Sequence, residues 1–191
     1  MHDLFYREDV FQDYDHAAKR AGGIQFTIDY QGRWYFHGQQ SPGPIKRKAL
    51  AGLFGGAGAG FMSGKGLSID KNGIYWLKSP ESSYQVAVED VPFIITGYDS
   101  HKDAIDLYTN FDEKIELGPD HALILKTEPR HGVKVLYAQV RAGLWGRFST
   151  QAHNDFVNER LTGDDGHYQV ASRGHIFKLD IDETRKTDNT P

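Results

Sequence analysis

Six residues of this chain carry side chains suited to holding a ligand: Arg47, Glu89, Asp90, Asn110, Arg141 and Arg173. The three arginines stand beside a helix start, in the turn R-A-G-L and in the turn S-R-G-H. A guanidinium presents a planar fork of donors that grips a carboxylate or phosphate through two parallel hydrogen bonds. Glu89 and Asp90 follow the strand-like run V-A-V and precede Val91-Pro92. Val86 and Val88 alternate inward, so Glu89 faces the other side, and the proline ends the ladder. These acids can accept hydrogen bonds from a ligand or an arginine. Equally, they can cap the backbone N–H groups of a strand end. Asn110, beside Asp112 and Glu113 in T-N-F-D-E, stands at the same fork between ligand contact and turn. An internal network joining the arginines to Glu89, Asp90 and Asp112 is the alternative to an anion site.

Other patterns argue against familiar chemistries. The loop G-G-A-G-A-G-F-M-S-G-K-G lacks the first glycine of a Walker loop, and Gly66 replaces the hydroxyl residue that would hold magnesium. It also follows a helix pattern and leads to a strand, whereas a phosphate cradle must open a helix. A helix stop and surface connector over Gly55–Gly66 is the expectation. None of the nine histidines forms H-E-x-x-H or an i, i+4 pair on an expected helix, so no metal site is expected. V-A-S-R-G lacks the first glycine of a nucleophile elbow and sits between strands. No catalytic residue is therefore assigned. Lys46-Arg47-Lys48 reads as a solvated helix face.

The composition narrows the class. Hydrophobic residues make up 39% and aromatics 13% of 191 residues, which is globular composition. A chain of this length buries roughly 70% of its extended surface, enough for a core. The net charge of −4 weighs against broad, non-specific attraction to nucleic-acid phosphates. With no cysteine, disulfides, thiolate catalysis and Cys-based metal sites are excluded. The N-terminal residues M-H-D-L-F-Y-R-E-D show no basic n-region or apolar h-region, and no apolar run approaches a membrane span. The expected location is the cytoplasm.

The elements that must position these residues are read from periodicity. Residues 7–21 predict a helix that stops at Gly22-Gly23. I-Q-F-T-I-D-Y and R-W-Y-F-H predict two strands around Gln31-Gly32, and a helix follows over 45–54. L-S-I-D-K-N-G-I-Y-W-L predicts a hairpin around Asn72-Gly73 with a type I′ turn. Further strands are expected at 84–88, 93–96, 104–109, 114–117, 122–127 and 133–140. A helix is expected over 149–161, then strands H-Y-Q-V-A and H-I-F-K-L. The divisions are an N-terminal helix (1–22), a first module (23–92), a second module (93–182) and a frayed tail (183–191). Strand, turn, strand and helix occur in both halves, which points to duplication of residues 24–80 and 122–180.

The segments G-R-W-Y-F-H-G, I-K-R-K-A-L-A-G-L-F, V-E-D-V-P-F, T-N-F-D-E-K-I-E-L-G-P-D-H-A-L, V-R-A-G-L and S-R-G-H-I-F occur in this order. Together they resemble a bacterial family of unknown function, number twelve-eighty-five, over about residues 22–180. The resemblance implies a duplicated α+β fold whose second half looks superficially like a pleckstrin-homology fold. It also implies a ligand site in a cleft between the halves, for a nucleotide-like ligand in signalling. The Gly55–Gly66 connector and the Gln39–Pro44 entry are longer than the family pattern. The resulting expectation is an α+β protein of two related small modules, mostly antiparallel, each with one packed helix. It is a cytoplasmic ligand-binding or regulatory protein with an unidentified ligand and no named cofactor. The alternatives are an enzyme using Glu89, Asp90 or His121 as acid or base, and a protein–protein adaptor.

Overall fold

In the computed structural model, the described residues are 25–37, 43–45, 66–78, 83–164 and 166–180. The expected helix over 7–21, residues 46–54 of the second expected helix, residues 55–65 of the expected connector and the whole tail (183–191) lie outside them. The chain divides into two units at Pro92/Phe93.

Among its described residues the first unit holds one five-stranded sheet. Its strands are β1 (Phe26–Ile28), β2 (Trp34–Phe36), β3 (Gly66–Ile69), β4 (Tyr75–Lys78) and β5 (Ser83–Val88), in the order β2-β1-β5-β4-β3. Neighbours run antiparallel except β1 and β5, which pair in parallel with Phe26 opposite Val86. Ile28, Trp34, Leu67 and Leu77 are buried, and Phe26 packs against Phe36 and Tyr84 at 5.1 and 5.8 Å. Edge and tilted ring contacts of this kind suit the aromatic quadrupole.

The two hairpins of this sheet are built from one repeated sequence. F-T-I-D-Y-Q-G-R-W-Y-F and L-S-I-D-K-N-G-I-Y-W-L align without a gap, with Asp29 matching Asp70 and Gly32 matching Gly73. In each, the glycine N–H donates to the aspartate carbonyl, at 2.9 and 3.0 Å. Each aspartate Oδ1 accepts two loop amides, from Gln31 and Arg33 in one and from Asn72 and Ile74 in the other. Each Oδ2 accepts from the aromatic six residues on, Tyr35 Oη or Trp76 Nε1, both at 3.0 Å. The expected I′ turn at Asn72-Gly73 is corrected here. Only Gly73 takes a positive φ, +79°, and Asn72 does not, so the loop is a three-residue turn closed by a glycine bulge. The side chain of Asp70 fixes that choice by capping the loop amides.

The second unit carries a six-stranded sheet in the order β8-β7-β6-β11-β10-β9 and a three-stranded sheet in the order β12-β13-β14. The strands are β6 (Phe93–His101), β7 (Ala104–Thr109), β8 (Lys114–Leu117), β9 (Leu123–Thr127), β10 (Lys134–Arg141), β11 (Leu144–Phe148), β12 (Thr162–Asp164), β13 (His167–Ser172) and β14 (His175–Asp180). Helix α1 (Thr150–Arg160) lies between β11 and β12. Ser149 caps it, with Oγ accepting the Ala152 N–H at 3.2 Å, and Phe156 packs edge-on against Phe148 and Tyr98. Ile95, Ile105, Leu107, Leu117, Leu136 and Phe148 form the buried centre.

The helix expected over 149–161 is present, and the sheets are mostly antiparallel as read. Two features differ. β11 pairs in parallel with β6, Gly146 opposite Phe93. Five strands of the six-stranded sheet, β7-β6-β11-β10-β9, also follow the order β2-β1-β5-β4-β3 of the first unit, with β6 and β11 parallel as β1 and β5 are; the strands that share this order span 26–88 and 93–148, whereas the expected repeat was 24–80 and 122–180.

Candidate functional site

In the first unit, Glu89 works as a strand-end cap. Its N–H donates to the Ile28 carbonyl at 3.0 Å, and its Oε2 accepts the Tyr30 N–H at 2.7 Å. Both bonds close the same end of the sheet as the Asp29 turn. Asp90 is half-buried. The Tyr75 phenol is pushed up, first by burial and then by the Asp90 charge. Arg47 lies outside the described residues.

In the second unit, Arg173 is a structural clamp. Arg173 and Gly174 occupy the two-residue turn between β13 and β14 with φ of +49° and +72°, the pair of positive values a I′ turn needs. The Arg173 N–H donates to the Asp103 carbonyl at 2.7 Å. Its Nη1 donates to the carbonyls of Ile105 and Leu117, at 2.5 and 3.2 Å, and its Nη2 to Asp106 Oδ1. Lys114 Nζ closes on Asp106 Oδ2 at 2.9 Å. Burial would raise the Asp106 carboxyl, but the Lys114 and Arg173 hydrogen bonds outweigh it and hold the group below the usual range.

Asn110 and Arg141 come together with residues the sequence reading left aside. The turn from Thr109 to Glu113 repeats the capped pattern of the first unit. Thr109 Oγ1 accepts the amides of Phe111 and Glu113, and Asp112 takes the positive φ, +61°. Asn110 ties this turn to β6: its N–H donates to the Ile94 carbonyl at 2.8 Å, and its Oδ1 accepts the Ile94 N–H at 3.1 Å. The turn thereby presents Phe111 to Phe93, rings 6.2 Å apart. Arg141, at the end of β10, lays its guanidinium over the Phe93 ring at 5.1 Å. Its Nη2 lies 3.3 Å from Glu113 Oε2. The side chains are 9% and 19% exposed, and that carboxylate oxygen makes no hydrogen bond. Burial pushes the Glu113 carboxyl up, while the Arg141 charge pulls it back. Burial likewise lowers Arg141, against the pull of Glu113.

Asp112, the partner the sequence suggested, is spent on the turn. Glu113 and Phe93 are the residues that reasoning missed. The signal was available: the position four after Thr109 must restart the strand, as Arg33 and Ile74 do four after their aspartates. His121 is tied to backbone, with Nδ1 2.9 Å from the Gln139 carbonyl oxygen.

A concavity of about 310 Å³ opens between Thr96–Ser100 of β6 and Ala152, Asp155 and Glu159 of α1. Tyr98 Oη donates to Glu159 Oε2 at 2.6 Å, and burial together with Glu159 pushes the phenol up to about 12. Asp99, Asp155 and Glu159 make this surface repel anions. No group of acids and histidines among the described residues is arranged to hold a metal ion. Nor is any described helix long and apolar enough to cross a membrane.

Residues 92–179, just under half of the chain, match the family model described as protein of unknown function (DUF1285), C-terminal domain. The fold is similar to the crystal structure of a DUF1285 family protein from Silicibacter pomeroyi DSS-3. That pair has a TM-score of 0.67 at 21% identity, covering 82% of this chain and 80% of the other. It is also similar to a DUF1285 family protein from Shewanella baltica OS155, with a TM-score of 0.52 at 20% identity, covering 71% of this chain and 92% of the other. No curated protein matches the chain. The family resemblance read from the sequence is borne out by these matches.

Proposed function

We propose that this chain is a ligand-binding or regulatory protein rather than an enzyme, and that its second unit takes an anionic, nucleotide-like ligand at Arg141. The reading rests on one observation. The Arg141 guanidinium is largely buried on the Phe93 ring, yet it meets the Glu113 carboxylate at 3.3 Å without a hydrogen bond to its Oε2. A buried pair stabilises a fold only when good hydrogen bonds repay the desolvation of both charges. Here burial shifts each partner away from its charged form. Charged groups shifted in this way by burial cluster at functional sites. A guanidinium beside an aromatic ring is chemistry suited to a phosphate or carboxylate, which accepts paired N–H donors.

The test is a thermal-shift screen of the full chain against nucleotides, cyclic dinucleotides and phosphorylated metabolites. A ligand present at about a hundred times its dissociation constant adds about 2.7 kcal/mol. At about 2–4 °C per kcal/mol for a chain of this size, the melting temperature rises by about 5–11 °C. Arg141→Lys keeps the charge but loses the fork, and it is expected to remove the shift. A shift that survives Arg141→Lys, or a screen in which no compound produces one, refutes the proposal.

A further inference from the structure

We infer that Glu113 is the resident occupant of the Arg141 site, an internal carboxylate that the phosphate group of an incoming ligand must displace. The inference rests on the proposed function and adds its regulation.

The same unit shows what a structural pair looks like. Asp106 is gripped by Arg173 Nη2 and, at 2.9 Å, by Lys114 Nζ. Both of its oxygens are engaged, and its carboxyl is held low. The Arg141–Glu113 pair is built otherwise. Its arginine is pinned by burial and by the Phe93 ring, while the glutamate oxygen facing it makes no hydrogen bond. The two partners also differ in freedom. Glu113 is the more exposed of the two, and its side chain has three rotatable bonds. Its backbone, by contrast, is fixed: Thr109 Oγ1 accepts the Glu113 N–H, the Glu113 carbonyl accepts the Thr109 N–H, and Asn110 ties the turn to β6. A carboxylate on a short tether from a rigid turn, opposite a pinned guanidinium, can rotate aside without disturbing the sheet. The groove beside α1 has no cation among its lining residues, so a phosphate group has no competing home there.

A resident carboxylate lowers apparent affinity by the fraction of time the site is open. If Glu113 holds Arg141 about nine-tenths of the time, its removal tightens binding about tenfold. The experiment is calorimetric titration of the full chain with inorganic phosphate and, separately, with AMP. It compares the wild-type chain, Glu113→Gln, Glu113→Ala and the double variant Glu113→Gln/Arg141→Lys, each checked for a cooperative melt. Both single variants are expected to bind phosphate and AMP about tenfold more tightly, and the double variant is expected to lose that gain. Binding to the wild-type chain that is unchanged or weakened in both Glu113 variants overturns the resident-carboxylate inference and leaves the proposed function standing. Binding to none of the folded proteins overturns both. Loss of the folded state in both single variants also overturns the inference, because it makes Glu113 a structural member.

Discussion

Replacing Ser172 by alanine removes one oxygen from the point where the β13–β14 turn enters the end of the β7–β8 ladder. Ser172 is 1% exposed; its Oγ accepts the Ile105 N–H at 2.9 Å and donates to the Leu117 carbonyl at 2.6 Å. The two losses are unequal. The Leu117 carbonyl still receives Arg173 Nη1 at 3.2 Å, so it keeps a donor. The Ile105 N–H belongs to a fully buried residue and is left facing a methyl group. An orphaned buried donor costs about 1–3 kcal/mol, and the weakened carbonyl adds a fraction of one ordinary hydrogen bond. The sum is about 1–4 kcal/mol, or a fall of about 2–16 °C in melting temperature at about 2–4 °C per kcal/mol. Circular dichroism melts give the total, and hydrogen exchange locates it. The Ile105 amide is expected to lose protection, while the Leu136 amide, elsewhere in the same sheet, follows only the global change. A fall under about 1 °C, or a large fall with Ile105 protection no worse than the global change, refutes the assignment of Ser172 as the partner of that amide.

Gly146→Ala places a methyl group 2.9 Å from Ile95 Cδ1 and 3.2 Å from Val140 Cγ2, an overpacking worth about 1–3 kcal/mol; Ile95→Val in the same chain is expected to recover part of the loss in urea midpoint. Because the Asp106 carboxyl is held low, its contribution to stability is present above the ordinary carboxylate value of about 3.9 and is lost as pH falls through the lowered value. Denaturation measured across the acid range is therefore expected to show a shallower acid loss in Asp106→Asn, and an unchanged profile refutes it. Glu113 has the opposite sign. With its carboxyl raised, its contribution is fullest below about 4.3 and falls away as pH climbs through the raised value, so Glu113→Gln should flatten the decline on that side. Asp29→Ala strips four hydrogen bonds from a buried carboxylate, and its urea midpoint is expected to fall further than that of Asp70→Ala, which strips three from a half-buried residue.

Most of the strands were legible because alternation and turn residues are local. β7 to β10, β13 and β14 fall where period-two patterns and turn residues put them, β6 runs on from the expected 93–96 to His101, and Ser149 with Phe156 announces α1. The misses have physical causes. L-W-G-R-F breaks the strand pattern with a glycine and an arginine, yet β11 is buried there, and Gly146 is required by Ile95 and Val140 of its neighbours. The parallel pairs β1–β5 and β6–β11 join segments that no local pattern links. Arg173 looked like a ligand contact because its partner, Asp106, lies 67 residues away. The acid that Arg141 meets is set by which residue of T-N-F-D-E takes the positive φ; Asp112 takes it, and Glu113 faces the arginine.

The repeated hairpins of the first unit bear on the order in which its sheet assembles. Each closes over a three-residue loop that its own aspartate caps, so each can form alone on a timescale of about 1–10 μs. The central strand between them is different. The bond from Tyr30 to Glu89 spans 59 residues of chain, and β5 must meet β1 and β4 together to bury its face. Long-range closure of that kind is the slow step in sheet formation. The expected course is two hairpins that flicker in and out independently until β5 arrives and locks them into one sheet. Pulse-labelled exchange should then find the Arg33 and Ile74 amides protected before the Glu89 amide, and simultaneous protection of all three would rule that course out.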